Sequence, residues 1–312
     1  MNRIKTDILI IGAGSGGLSV AAGAAQMGAD VVLLEGHKMG GDCLNYGCVP
    51  SKALIATGKA AYGQKHAAVY GVANAPGNVD YAAAKDHVAD VIAQIAPVDS
   101  QERFESFGIN VIREFGRFIS GGEVQAGDTI IKARRIVIAT GSSPLVPPIP
   151  GLENVPYETN ETLFDLREKP KHLLIIGGGP IGVEMAQAHI RMGSKVTVIE
   201  GERVLGKDDS ELAAVVLDTL RDEGIVIEEG AMAAEIRGKK GVIEVEAKDG
   251  RVFKGSHLLV AVGRKANTDK LNLEKAGIEA VRGGIKVDAG LRTANRRVYA
   301  IGDVAGGLQF TH

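Results

Sequence analysis

A chain of 312 residues is long enough for about two domains, each with a core of its own. Its 36 basic and 38 acidic residues leave a formal net charge of -2, which excludes the basic footprint of a nucleic-acid binder or a membrane-surface protein. No run of about 20 apolar residues could span a bilayer, no signal peptide is expected, and two cysteines are too few for a disulphide scaffold. The expected setting is cytoplasmic and reducing, where a close cysteine pair is more often catalytic than structural.

The first element is legible at once. Residues 8–36 read ILIIGAGSGGLSVAAGAAQMGADVVLLEG: an apolar strand, a G-x-G-x-x-G turn, an Ala-rich helix, a Gly turn and a second strand ending in Glu35. This is a βαβ unit. Gly12 permits the tight turn, Gly14 lets backbone approach a pyrophosphate, and Gly17 lets helix pack on strand. The helix N-terminus offers free N–H groups and positive dipole to phosphates. Glu35, 18 residues after Gly17, is placed to accept hydrogen bonds from a ribose diol.

The segment GGDCLNYGCVPSK (40–52) comes next, with Cys43 and Cys48 five residues apart near the start of a helix expected over 43–68. In an ideal helix five residues turn about 500°, so the two side chains would diverge by about 140°. A disulphide there requires a distorted helix, and Gly47 and Pro50 supply the distortion. The helix N-terminus favours a thiolate, and Lys52 lies on the same face as Cys48. Two plainer readings stand beside redox chemistry: small core residues, or half a zinc site, for which no further ligands are at hand. A helix over 80–106 with a possible break at Pro97 comes after it, then strands near 109–118, 129–132 and 135–139 and a Pro-rich linker at 142–151. A short helix near 160–166 closes this stretch.

The opening unit then recurs at a constant offset of 165, as LLIIGGGPIGVEMAQAHIRMGSKVTVIEG (173–201). Gly177, Gly179, Gly182 and Glu200 stand where Gly12, Gly14, Gly17 and Glu35 stood, with Pro180 and Ile181 inside the turn. A carboxylate at 200 repels a 2′-phosphate, so NAD is favoured over NADP; Arg203 nearby is read as a solvated surface residue. Beyond lie a helix at 209–223, strands near 225–229, 232–237, 242–247, 252–254 and 257–262, and a last strand, Val298–Ile301, running into Gly302-Asp303. IVIATG (136–141) and LLVAVG (258–263) are each read as closing one sheet. The fold class is therefore α/β, with two Rossmann-like dinucleotide-binding domains.

GGDCLNYGCVPSK resembles the active-site motif of the class I pyridine nucleotide-disulphide oxidoreductases, which include dihydrolipoamide dehydrogenase, glutathione reductase and mercuric reductase. The resemblance extends over essentially the whole chain, through IIGAGSGG, ATGSSP (139–144), IIGGGPIGVEMA (175–186), AVGRKANTD (261–269) and YAIGDVAGG (299–307). It implies an FAD domain of residues 1–155 and 279–312 with an NAD domain of residues 156–278 inserted. FAD would sit on the first unit with Glu35 on its ribose, and the nicotinamide cofactor on the second. Cys43 resembles the interchange thiol, Cys48 the thiol facing the flavin, Lys52 the lysine beside the flavin and Glu184 its ion-pair partner. Gly116 resembles the backbone contact to adenine, and Thr140 and Gly141 lie along FAD. Arg264 matches the arginine of G-R-x-x-N-T, Asp303 after Gly302 the acid holding the ribityl chain, and Gly263 a glycine lining the nicotinamide site. Gly41, Asp42 and Gly47 of the cysteine motif join the cofactor contacts.

Two departures qualify the match. The chain reaches His312 soon after the Gly302-Asp303 motif, whereas the family continues into a C-terminal interface domain that builds the dimer and supplies a His–Glu base; His312 is not that base. A homodimer is therefore the expectation for a full-length form, and a monomer is left open for this chain. Asp42 stands where the best-known members carry Thr. The expected activity is dihydrolipoamide dehydrogenase-like, between NAD(H), FAD, the Cys43–Cys48 disulphide and a small-molecule or protein-bound disulphide. The alternatives are a mercuric-reductase-like enzyme and a non-catalytic flavin- or nucleotide-binding fragment. A thioredoxin-reductase type is disfavoured, because its C-x-x-C pair lies in the nicotinamide domain. No metal site is expected.

Overall fold

A computed structural model describes residues 2–307, so His312 lies outside the described residues. The described α-helices are α1 (Ser15–Gln26), α2 (Gly41–Asn45), α3 (Cys48–Lys65), α4 (Tyr81–Ile95), α5 (Gln101–Ser106), α6 (Pro180–Arg191) and α7 (Ser210–Asp222). Residue contacts divide the chain into two units. The first comprises 2–48, 92–143 and 264–307 of the described residues, the second Val49–Val91 and Pro144–Gly263.

The first unit is built on a sheet in the order Asn110–Ile112, Val31–Leu34, Asn2–Ile11, Thr129–Ile138, Glu123–Ala126, Gly116–Ser120, with Val298–Ala300 also paired to Thr129–Ile138. Its central pairings are parallel, and the 116–132 side is an antiparallel meander of two successive pairings. Side chains alternate as the pleat demands. Leu9 and Ile11 enter one buried cluster with Phe118, Ile131, Ile136 and Ile138. Ile10 enters another with Leu18 and Ala21 of α1 and with Leu33. Both faces are covered, which is why Ile8–Ile11 and Val31–Leu34 read as unbroken apolar runs.

The second unit has a parallel sheet in the order Val226–Glu228, Lys195–Ile199, His172–Ile176, His257–Val260, and a separate antiparallel meander of Ala233–Lys239, Val242–Ala247 and Val252–Gly255. The two share a core of Leu174, Ile176, Ile199, Ile236, Ile243, Val245, Leu258 and Val260. Arg191 on α6 grips Glu223 after α7 through two hydrogen bonds of 2.6 and 2.7 Å, both side chains largely buried.

Two strand expectations are corrected. The strands expected at 129–132 and 135–139 are one strand, Thr129–Ile138, because Asn2–Ile11 pairs along its whole length; the charged Arg134 and Arg135 are simply exposed. The strand expected at 109–118 divides into 110–112 and 116–120. The break allowed for at Pro97 in the 80–106 helix is present: the helix ends in a 3-10 turn there and restarts as α5, capped by Ser100 Oγ accepting from the Arg103 amide (3.2 Å). Residue contacts divide the chain on a different basis from the cofactor domains bounded at 155/156 and 278/279. Residues 49–91 group with the second unit because α3 lies on α6: a Cβ at Gly58 would sit 3.1 Å from Ala188 O, and the Arg191 guanidinium lies 4.6 Å from the Tyr62 ring centroid. Residues 264–278 group with the first because Leu271, Leu273, Ala276 and Ile278 fill its core.

Candidate active site

The two glycine turns are built alike. Gly12 (φ +107°) and Gly177 (φ +111°) open them in a conformation that L side chains rarely adopt. A Cβ on either would fall 2.4 Å from a carbonyl, Ala139 O or Ala261 O. A Cβ on Gly17 or Gly182 would fall 1.9 or 2.1 Å from the first glycine's own carbonyl. Helix and strand therefore meet only through glycine. The middle positions behave differently. A Cβ on Gly179 would meet nothing within 4 Å, and one on Gly14 only the Gly41 Cα at 3.8 Å. Each middle glycine is also the N-cap of a twelve-residue helix and offers no side-chain cap. The result, twice over, is an open cradle facing N–H groups that lack intrahelical partners, which suits a pyrophosphate. Pro180 opens α6 at a position where its missing N–H costs nothing, and Ile181 is partly exposed beside it.

The acidic ends match as well. Glu35 accepts from the Ala13 and His37 amides at 2.8 and 2.7 Å. Glu200 accepts from the Gly178 and Glu202 amides at 2.7 and 2.9 Å. Each carboxylate is thereby held at the mouth of its turn with lone pairs remaining for a diol.

The cysteines sit where the first unit's turn meets a broken helix. Gly40 (φ +83°) and Gly41 (φ +57°) bring the chain back under Gly14, with the Gly40 amide donating to Ala13 O at 2.9 Å. α2 carries Cys43, the chain breaks at Tyr46-Gly47, and α3 begins at Cys48. A Cβ at Gly47 would come to 2.8 Å from Asp42 Oδ2 and 3.1 Å from Asp42 O, so a side chain there would have to push Asp42 aside. The break overcomes the divergence an unbroken helix would impose: the two half-buried thiols lie within hydrogen-bonding reach of each other. Burial, and then the neighbouring Cys48, push the Cys43 thiol up to about 11, against a hydrogen bond from Ser15.

Arg264, only 9% exposed, gathers several sequence-predicted residues of the first unit. Its guanidinium donates to Ser142 Oγ (2.6 Å) and Ser142 O (2.8 Å) and pairs with Asp42 (3.0 Å) and Asp303 (3.6 Å). Ser142 Oγ donates onward to Asp303 (2.5 Å). Thr140 exchanges hydrogen bonds with Asn267, and Gly141 (φ +63°) accepts from the Asn267 amide. Gly302 (φ +70°) precedes Asp303 with open space beside it. Gly116 stands apart from this group. It packs against Leu34 and lines a surface cavity of about 470 Å³ with Phe115, Arg117, Gln125 and Lys270. Ser15, Ser142 and Asn267 were not among the sequence-predicted site residues, although all three lie inside motifs already conspicuous for their glycines.

In the second unit, Lys52 on α3 donates to both Glu184 oxygens on α6 at 2.9 and 3.0 Å. Both side chains are more than a third exposed, so the pair orients the two groups more than it stabilises the fold. Gly263 (φ +131°) has open space beside it, next to the Ala261-Val262 segment on which Gly177 packs. No cluster of three or more metal-ligating side chains occurs among the described residues, and no described helix is long and apolar enough to cross a membrane.

The chain is similar to known proteins over nearly all its length. The model of the pyridine nucleotide-disulphide oxidoreductase family matches residues 6–312. A mercuric reductase of Lysinibacillus sphaericus is 34% identical over 100% of this chain and 58% of its own length. A dihydrolipoyl dehydrogenase of Geobacillus stearothermophilus is 33% identical over 99% of this chain and 67% of its own. The solved HOCl-induced flavoprotein disulfide reductase RclA of Escherichia coli, at 32% identity, superposes with a TM-score of 0.87 over 98% of this chain and 67% of that one, and so does its Cu(II) complex. The chain spans 49–67% of the length of these and a further mercuric reductase relative, from Bacillus cereus. Paired glycine turns, a thiol pair on a broken helix and a family match over nearly all its residues lead to one conclusion: the chain belongs to the pyridine nucleotide-disulphide oxidoreductases.

Proposed function

We propose that the chain carries the FAD- and NAD-binding machinery of a dihydrolipoamide dehydrogenase-like oxidoreductase, with Cys43 and Cys48 as its redox pair. The observation that carries this reading is the break at Tyr46-Gly47, which sets two thiols against each other immediately after an open dinucleotide cradle. Gly12, Gly14, Gly17, Glu35, Gly41, Thr140, Gly141, Gly302 and Asp303 would hold FAD in the first unit. Gly177, Gly179, Gly182, Glu200 and Gly263 would hold the nicotinamide cofactor in the second. When bound, FAD supplies a two-electron relay between nicotinamide and dithiol.

The protein's own residues do the rest. Oxidation of the reduced pair forms the S–S bond and passes two electrons to the bound flavin while two protons leave; Cys43, whose thiol burial pushes up, must lose its proton before it attacks a substrate disulphide. Glu200, tied to the Gly178 and Glu202 amides at the end of the second turn, offers a carboxylate to a ribose diol and would repel a 2′-phosphate, which supports NAD over NADP. The partner is a small-molecule or protein-bound disulphide or dithiol. A second reading, a dithiol that takes a soft metal ion, is supported by the mercuric reductases among the relatives and by the Cu(II) complex of RclA.

Thiol counting tests the first reading. The oxidised chain reconstituted with FAD should titrate no thiols, and two after anaerobic NADH. Two thiols throughout, unchanged by NADH, would sink it.

A further inference from the structure

Asp42 is the residue of the cysteine turn that departs from the family pattern, and it is not solitary. Its Oδ1 pairs with Arg264 at 3.0 Å, and its Oδ2 rests where a Cβ on Gly47 would come to 2.8 Å. One carboxylate thus spans from a buried arginine to the turn that separates the two cysteines. Arg264 itself is fixed from the other side by Ser142 and Asp303. A guanidinium is the group suited to this task, since it offers several donors in one rigid plane and stays charged.

We propose that Asp42 and Arg264 form a charge clamp that fixes the α2 turn and sets the charge facing the Cys43 thiol, Arg264 acting as a positioning residue through Asp42. The clamp rests on the reading of Cys43 as a redox thiol and adds to it the residue that tunes that thiol.

The surroundings make the sign of the effect definite. Cys43 is faced by Cys48 from α3, by Ser15 from α1 and by Asp42 on its own helix. Tyr46 beyond it bonds His37 (3.0 Å) and lies under Lys38, and Asp99 abuts Gly40 on the preceding turn. Asp42 raises the proton affinity of Cys43, and Arg264 offsets that charge. Removing the carboxylate should therefore make the thiolate easier to form, and removing the guanidinium alone should make it harder.

The test uses the 312-residue chain as purified, in a Cys48→Ser background where Cys43 is the sole thiol. The rate of iodoacetamide alkylation is followed against pH with no nicotinamide added, so the result does not depend on whether NADH reduces the pair. Asp42→Asn should lower the midpoint by roughly half a pH unit and Arg264→Met should raise it by a similar amount. In the Asp42→Asn background the Arg264→Met shift should shrink to less than half. Shifts in the same direction, or an Arg264→Met shift that is undiminished without Asp42, overturn the clamp. If Arg264→Met does not fold, Asp42→Asn decides alone: a midpoint that fails to fall overturns it.

Discussion

The two glycine turns share a backbone and differ in the segments downstream of them. Both open at positive φ, both close helix on strand through a glycine whose Cβ would strike a carbonyl, and both end in a glutamate tied to two amides. After Glu35, however, the chain runs to Gly40-Gly41 and the broken cysteine helix; after Glu200 it runs to an ordinary helix, α7, capped by Asp209. The open glycine turn is thus written in the repeat, and the thiol pair in the segment that only one copy possesses.

The sharpest break in this comparison comes from the glycines that pack. Gly17→Ala and Gly182→Ala should each destabilise their own unit by roughly 4 kcal/mol, since backbone must move to admit the methyl group. Denaturant titration would register this, and wild-type midpoints would show that the contacts are not tight. Gly14→Ala and Gly179→Ala are the contrast. They should change stability by less than about 1 kcal/mol while weakening retention of FAD and NADH respectively by an order of magnitude or more, as read by flavin release and nucleotide titration.

A smaller effect separates the two acids. Glu200→Ala should weaken NADH roughly tenfold and NADPH less than about threefold, because only the former gains from a diol acceptor. Equal weakening would remove Glu200 from the ribose. Smaller still is an acid effect confined to the second unit. Burial holds His189 down to about 3, with Tyr81 O–H donating to its Nε2 (3.1 Å) and its Nδ1–H donating to Met185 O (2.8 Å). The folded pKa lies below the unfolded one, so the unfolded chain takes up the proton first. Stability is full above about pH 6.5 and declines as pH falls, by about 1 kcal/mol near pH 5.5. His189→Gln should flatten that slope in thermal melts between about pH 7 and 5.5, and an unchanged slope would assign it to other groups.

Much of this was legible because it is local. A constant offset of 165 puts every glycine and glutamate of one turn opposite its counterpart, and the C-x-x-x-x-C spacing carries its own demand for a broken helix. The parts that were not legible depend on distant partners. Arg264 and Asp42 are far apart in sequence, and only the folded sheet brings the strand after Gly263 to the cysteine turn. The strand Glu123–Ala126 is short, polar and flanked by glycines, so it reads as a turn until its pairing with Thr129–Lys132 is seen. The grouping of 49–91 with the second unit rests on Gly58 and Tyr62 meeting α6, which periodicity alone does not announce.

In the proposed function the thiol pair and the two dinucleotide cradles act as one relay, which the absorption spectrum of the FAD-loaded chain during anaerobic NADH addition, alongside Cys48→Ser, tests most directly. A working relay predicts a long-wavelength thiolate–flavin band that appears in the parent and is lost in the variant. A flavin that bleaches without any such band, or a band that persists unchanged in Cys48→Ser, would contradict it.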